Sequence, residues 1–275
     1  IAAGSFALMF VLVLVALVIA IARHKTGDVR WRPALTLAAA IALLAVAGAV
    51  NSWPSLVHAY PTEIPWVAAV GFAIVGLFFV SVIQGAQVAF TAAAGESLGR
   101  EQFPASVTGF LEMARGRLLS AAFAQASVRG YALGLALLGY LTLFYVAAQR
   151  WLGAWMPAEG PYSEIFNEAL PFLAPLTIGV MAAVAEEVTF RLFGISLVKR
   201  YLKSTALAVL IPAAIWAFAH SNYPVFPVYV RGIELTIAGT LFGVAFLRLG
   251  LVTCIVAHFV IDAVLVGMPL LTSGN

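Results

Sequence analysis

Charge is what this sequence has least of. Only 10% of its 275 residues are Asp, Glu, Lys or Arg, where a soluble domain carries about a quarter. Hydrophobic residues make up 63%, and the mean hydropathy is +1.02. That balance excludes an ordinary water-soluble domain and reads as a membrane protein. Neither sign dominates: fifteen basic against twelve acidic residues leave +3. The basic residues fall in short clusters between apolar runs, so the pI of about 9.2 reflects membrane orientation rather than a nucleic-acid surface. Cysteine is almost missing. Cys254 stands alone inside an apolar run, which excludes a disulfide framework and paired-cysteine zinc sites. Internal repeats, low-complexity tracts and a separate soluble domain are absent too. Twelve arginines to three lysines, with abundant Ala and Gly, point to a GC-rich genome and hence to a prokaryotic inner membrane.

A helix crossing ~30 Å of hydrocarbon needs about 20 mostly apolar residues. Eight segments qualify: Ala2–Ala22, Ala34–Asn51, Ile64–Ala94, Tyr131–Ala148, Ala169 to about Arg191, Thr205–Ser221, Val228–Leu247 and Leu251–Leu271. The expected fold is all-α, a polytopic membrane helix bundle. The first run has no basic leader and exceeds signal-peptide length, so it reads as a retained span. Arg23 to Arg32, Arg100 to Arg129, Lys199 to Lys203, and Arg248 mark alternate loops richer in Lys and Arg. The positive-inside rule places these loops in the cytoplasm and both termini outside. Glu96–Arg129 mixes basic and large apolar residues at helical spacing, the pattern of an interfacial amphipathic helix.

Ionisable groups at bilayer depth cost at least ~2.5 kcal/mol each, and so mark candidate functional sites. Six lie after Ala169. Glu187 and Arg191 are i,i+4 on one helical face and can neutralise each other. Glu186, rotated about 100° from its neighbour, is left without a local partner. Glu186 lies seventeen residues before the basic turn at Lys203 and His220 seventeen after it. At 1.5 Å per residue both sit ~25 Å along their helices, at one level of an antiparallel hairpin. His258 and Asp262, again i,i+4, lie roughly 15 and 21 Å beyond Arg248. Three helices thus offer polar groups to one pocket. Glu234 reads as a partner of Arg231 near the outer boundary.

A carboxylate beside a histidine can hold and deprotonate a water, and a second histidine with a short polar partner can donate to an oxyanion. Other intramembrane proteases lack their signatures here: the chain has no His-Glu-x-x-His, no Gly-x-Ser-x-Gly and no paired aspartates on facing spans. Two histidines and Glu186 form a conceivable zinc set, but without the usual compact motif, so no metal or cofactor is expected. Two other classes compete with a hydrolase. One is a non-proteolytic binding or immunity protein; the other is a proton-coupled transporter, against which stands the absence of Gly/Pro-broken spans in corresponding halves.

At these residues the sequence resembles the CPBP family, which includes type II CAAX prenyl endopeptidases and bacteriocin-processing or self-immunity proteins. The family pattern is Glu-Glu-x-x-x-Arg, Phe-x-x-x-His and His-x-x-x-Asn or Asp. Glu186, Glu187 and Arg191 match the first motif, His220 the second, and His258 with Asp262 the third, in order and within about eighty residues. The Gly239–Gly243 stretch resembles the span before the last motif, and its small-x-x-x-small spacing independently predicts close helix packing. The resemblance covers Ala169 to Leu271 and leaves the first four spans unmatched. Trp216 stands where Phe is usual. Asp262 stands where CAAX endopeptidases usually have Asn, replacing an amide donor by an acid that donates only when protonated.

The resemblance implies an intramembrane endopeptidase acting on a membrane-anchored or lipid-linked protein, by C-terminal or leader processing. Glu186 and His220 would activate water, His258 and Asp262 would stabilise the oxyanion, and Glu187 and Arg191 would support them. It also implies a catalytic core over residues 131–275, preceded by a variable membrane region over 1–130 with three spans and the interfacial helix. The expected partners are the bilayer and a membrane-anchored protein or peptide, with no nucleic acid.

Overall fold

The computed structural model describes residues 2–157, 162–220 and 222–273. Its elements are helices: α1 (Ala2–Lys25), α2 (Trp31–Asn51), α3 (Trp53–His58), α4 (Trp66–Gln102), α5 (Pro104–Ala114), α6 (Ala121–Leu152), α7 (Leu173–Glu186), a π-helical segment (Glu187–Ile195), α8 (Ser196–Leu202), α9 (Thr205–Ala219), α10 (Val228–Leu249) and α11 (Leu251–Thr272). A short 3-10 turn, Ser163–Asn167, precedes α7. Extended pairing among the described residues is limited to an isolated bridge between Trp155 and Phe226, whose rings stack with centroids 4.8 Å apart.

Among the described residues, seven helices are long and apolar enough to cross a membrane, counting Leu173–Leu202 as one, so the protein is a multi-pass integral membrane protein with an all-α fold. The remaining span of the eight expected, Thr205–Ser221, is a shorter apolar helix than the others. Its helix, Thr205–Ala219, has 15 residues and spans about 22 Å, short of the ~30 Å hydrocarbon thickness. The cause is local: the chain turns at His220, and Pro224 and Pro227 follow before α10. Ser221 lies outside the described residues.

The stretch Glu96–Arg129, expected to hold an interfacial helix, is divided among three helices. Helix α4 continues through Gln102, because Gly95 and Gly99 let it lie against the π segment. A Cβ at Gly95 would stand 2.9 Å from Leu192 and 3.0 Å from the Phe193 backbone nitrogen. Pro104 opens the separate helix α5, whose Val107 and Phe110 are buried in the main core. This helix is amphipathic: it packs one face into the bundle and leaves Pro104, Ala105, Thr108 and Gly109 exposed. The remainder of the stretch is a turn followed by the start of α6, ten residues earlier than the sequence suggested.

Glycines set the close contacts around the last three helices. Gly239 and Gly243 bring α10 onto α9, where added Cβ atoms would meet Ala213 at 3.0 Å and Val209 at 2.7 Å, as their spacing predicts. Gly130 and Gly134 do the same for α6 on α11; a Cβ at Gly134 would lie 2.9 Å from the Ala257 carbonyl oxygen. At the other end of α7, Asn51 ties α2 to the chain ahead of it by accepting from the Leu170 backbone N–H and donating to Glu168.

At the basic end, Asp28 accepts from Ser97, Arg23 and Arg100 and locks the α1–α2 connection onto α4. Burial alone would raise its carboxyl, but the Ser97 hydroxyl and the two guanidiniums outweigh that and hold it below the usual carboxylate range.

Candidate active site

The structure brings all six residues singled out from the sequence into one cluster. It forms where α7 passes into the π segment, an irregularity frequent at functional sites. Glu186 is the last residue of α7 and Glu187 the first of the π segment. His220 caps the C-terminal end of α9, and α11 carries His258 and Asp262.

Glu186 Oε2 is the meeting point. It accepts from the Trp216 indole N–H at 2.5 Å and lies 3.5 Å from His220 Nε2 and 3.8 Å from His258 Nε2. His220 Nδ1 sits 2.8 Å from the Trp216 carbonyl oxygen. A carbonyl only accepts, so Nδ1 carries the proton and, in the neutral ring, Nε2 presents its lone pair to Glu186. Trp216 therefore orients both partners, the acid through its ring nitrogen and the histidine through its backbone. A carboxylate oxygen and a neutral imidazole nitrogen facing each other at that distance both need a donor, and one water supplies two.

Glu187 and Arg191 form the buried pair that the sequence pattern implied, 2.9 Å apart. Two aromatic rings at a near-right angle to each other flank the guanidinium, with Trp216 4.4 Å and Phe242 4.8 Å from its carbon, a favourable setting for a desolvated cation. Glu187 also holds His258: its Oε1 lies 2.7 Å from Nδ1. Since a carboxylate accepts, His258 donates there and turns Nε2 toward Glu186 and Asp262, the latter 3.5 Å away. The tight partner of His258 is thus Glu187 on a neighbouring helix, not Asp262 four residues on, which the spacing had suggested.

An enclosed cavity of about 90 Å³ is lined by Glu186, His220, His258 and Asp262. It also holds four polar residues that the sequence reading did not place there: Tyr162, Tyr223, Arg231 and Glu234. Glu234 is fully buried. Its carboxylate accepts from Arg231 and from the Tyr145 hydroxyl, and Arg231 lies over the Tyr223 ring. The pairing of Arg231 with Glu234 was readable; its inward position was not. Burial, and then Tyr223 beside it, push the Tyr162 phenol above its ordinary range, so it remains a hydrogen-bond donor.

Residues 168–264 match the family described as type II CAAX prenyl endopeptidase Rce1-like. The sporulation-killing factor biosynthesis protein SkfC of Bacillus subtilis (strain 168) is 27% identical over 141 residues, 51% of this chain and 28% of that protein. The chain therefore spans less than a third of that relative's length. No solved structure matches. The matched segment contains both glutamates, the arginine, both histidines and the aspartate of the cluster. This chain is a prokaryotic multi-pass membrane protein whose residues 168–264 are similar to the Rce1-like type II CAAX prenyl endopeptidases, a family of proteases.

Proposed function

We propose that this protein is an intramembrane endopeptidase of the glutamic type, cleaving a peptide bond in a membrane-associated or lipid-linked protein. One observation carries the reading: Glu186 Oε2, fixed by the Trp216 N–H, faces His220 Nε2 across 3.5 Å at the wall of an enclosed cavity. Water held between these two acceptors is polarised for attack, and Glu186 takes its proton as the oxygen adds to the scissile carbonyl. The same proton then passes to the leaving amine. His258 Nε2, aimed by Glu187 through Nδ1, donates to the developing oxyanion when protonated, with Asp262 beside it. Glu187 and Arg191 act through His258 and Trp216 and are positioning residues.

The same reading makes residues 131–275 the catalytic core and 1–130 the variable membrane region, although position 130 falls within α6. A leader or C-terminal segment is the expected target. The Bacillus relative's name, which places it in the biosynthesis of a factor, supports a maturation role of this kind.

The test is cleavage of a broad panel of membrane-anchored peptides by the purified protein in vesicles, without added metal and with Glu186→Gln as the control. The proposal expects cleavage that the variant lacks. No Glu186-dependent cleavage across the panel would overturn it and favour a non-proteolytic binding protein of the same fold.

A further inference from the structure

Glu186 and His220 border a second space that the mechanism above does not use. Adjoining the enclosed cavity, and sharing Ile178, Ala182, Glu186, His220 and Tyr223 with it, a groove of about 510 Å³ runs between α1, α4, α7 and α9, with Met9 in its lining. Its lining is apolar apart from Glu186, His220, Tyr223 and two amides of α4, Gln84 and Gln87. The two glutamines are i,i+3 and share a helical face. They lie mid-way along a 37-residue helix, where lipid supplies no hydrogen bonds and each unpaired polar group is costly.

Gln87 donates an amide N–H to the Thr189 hydroxyl at 3.2 Å. Thr189 belongs to the π segment that begins with Glu187, so this bond fixes Gln87 relative to the glutamates and leaves its carbonyl oxygen over. The Gln84 carbonyl oxygen is closed off from open space and meets no donor among the described residues. Gln84 itself lines the groove, and its last side-chain torsion is soft, so a turn about it can offer that oxygen to a donor there.

We infer that Gln84 and Gln87 clamp the backbone of an extended substrate segment lying in this groove, presenting its scissile bond to Glu186. A side-chain amide offers a donor and an acceptor, as a peptide unit does. Two of them on one face bind main chain whatever its side chains, and the apolar remainder of the groove suits a segment drawn from the bilayer. The inference rests on the endopeptidase reading and adds the route and the recognised chemistry: peptide N–H groups of an extended strand, read without sequence preference.

The probes are lipid-anchored synthetic peptides in phosphatidylethanolamine–phosphatidylglycerol vesicles, each paired with analogues in which one peptide N–H at a time is replaced by an ester oxygen. Binding is read as photo-crosslinking to benzoylphenylalanine at position 9, in the Glu186→Gln protein. An amide should label over its ester at one or two positions by about fivefold, the worth of one neutral hydrogen bond. That preference should fall to near one in Gln84→Met/Gln87→Met, a near-isosteric change that keeps the groove's shape. Equal labelling by amides and esters, a preference that survives in the double variant, or no labelling by any peptide overturns the clamp. Selective labelling of peptides that protein with Glu186 intact leaves uncleaved supports the clamp and counts against the protease reading. Cleavage without amide preference does the reverse.

Discussion

Removing either member of the Glu187–Arg191 pair, and then both, separates what the pair does for the fold from what it does for the site. Both side chains are shut off from solvent, at 0% and 2% exposure, and they lie 2.9 Å apart. Arg191→Met leaves Glu187 buried without its cation, and Glu187→Gln leaves the guanidinium with only its aromatic neighbours. Breaking a buried pair from one side costs about 3–5 kcal/mol, which for a chain of this size lowers the midpoint of thermal unfolding by roughly 6–15 °C. The double variant, Glu187→Gln/Arg191→Met, removes both charges and leaves the glutamine oxygen to accept from His258 Nδ1. Replacing a buried pair by neutral groups is often close to free, so its loss should be no more than about 2 kcal/mol and the coupling between the two sites about 3 kcal/mol or more. The assay is unfolding of the four proteins in one detergent, together with peptide cleavage. If the losses simply add in the double variant, the pair is not a coupled unit and the account of Glu187 is wrong.

Trp216→Phe keeps the aromatic wall but deletes the N–H that fixes Glu186. A hydrogen bond to a charged group is worth about 1.5–3 kcal/mol, so cleavage should fall by about tenfold or more with near-normal unfolding, read as kcat/KM against thermal midpoint. Gly134→Ala places a methyl against the Ala257 carbonyl and should destabilise by about 1–3 kcal/mol. Gly139→Ala, in open space on the same helix, should gain up to about 1 kcal/mol; the two are compared by unfolding in detergent. Asp28 titrates below its unfolded value, so the stability it contributes is complete above that value and is lost as pH falls toward its folded one. In a pH series of unfolding midpoints below about pH 4, Asp28→Asn should be less stable at neutral pH and flatter on the acid side.

What was legible in the sequence is local or geometric. The shared level of Glu186 and His220 followed from a hairpin with one turn at Lys203, where the backbone takes the left-handed conformation at φ +57°. Their contact needed only the helical rise. The link from Glu187 to His258 was not legible, because it joins side chains 71 positions apart through the packing of α11. The inward turn of Arg231 and Glu234 was hidden for another reason. An i,i+3 pair has the same spacing whether its face meets lipid, water or a cavity, and the rotation of α10, set by Gly239 and Gly243 against α9, decides which. The connector after α4 misled because Gly95 and Gly99 carry no apolar signal, yet their smallness is what seats the helix on the π segment.

The most direct test of the central claim is made in cells. Membrane proteomes of cells carrying the wild-type protein are compared with those carrying Glu186→Ala or His220→Ala, with both variants checked for normal abundance. The account predicts that the two variants accumulate the same membrane-associated precursors with C-terminal or leader segments intact. If neither variant differs from wild type while deletion of the protein has a phenotype, the polar cluster serves structure or binding and the hydrolytic account is contradicted.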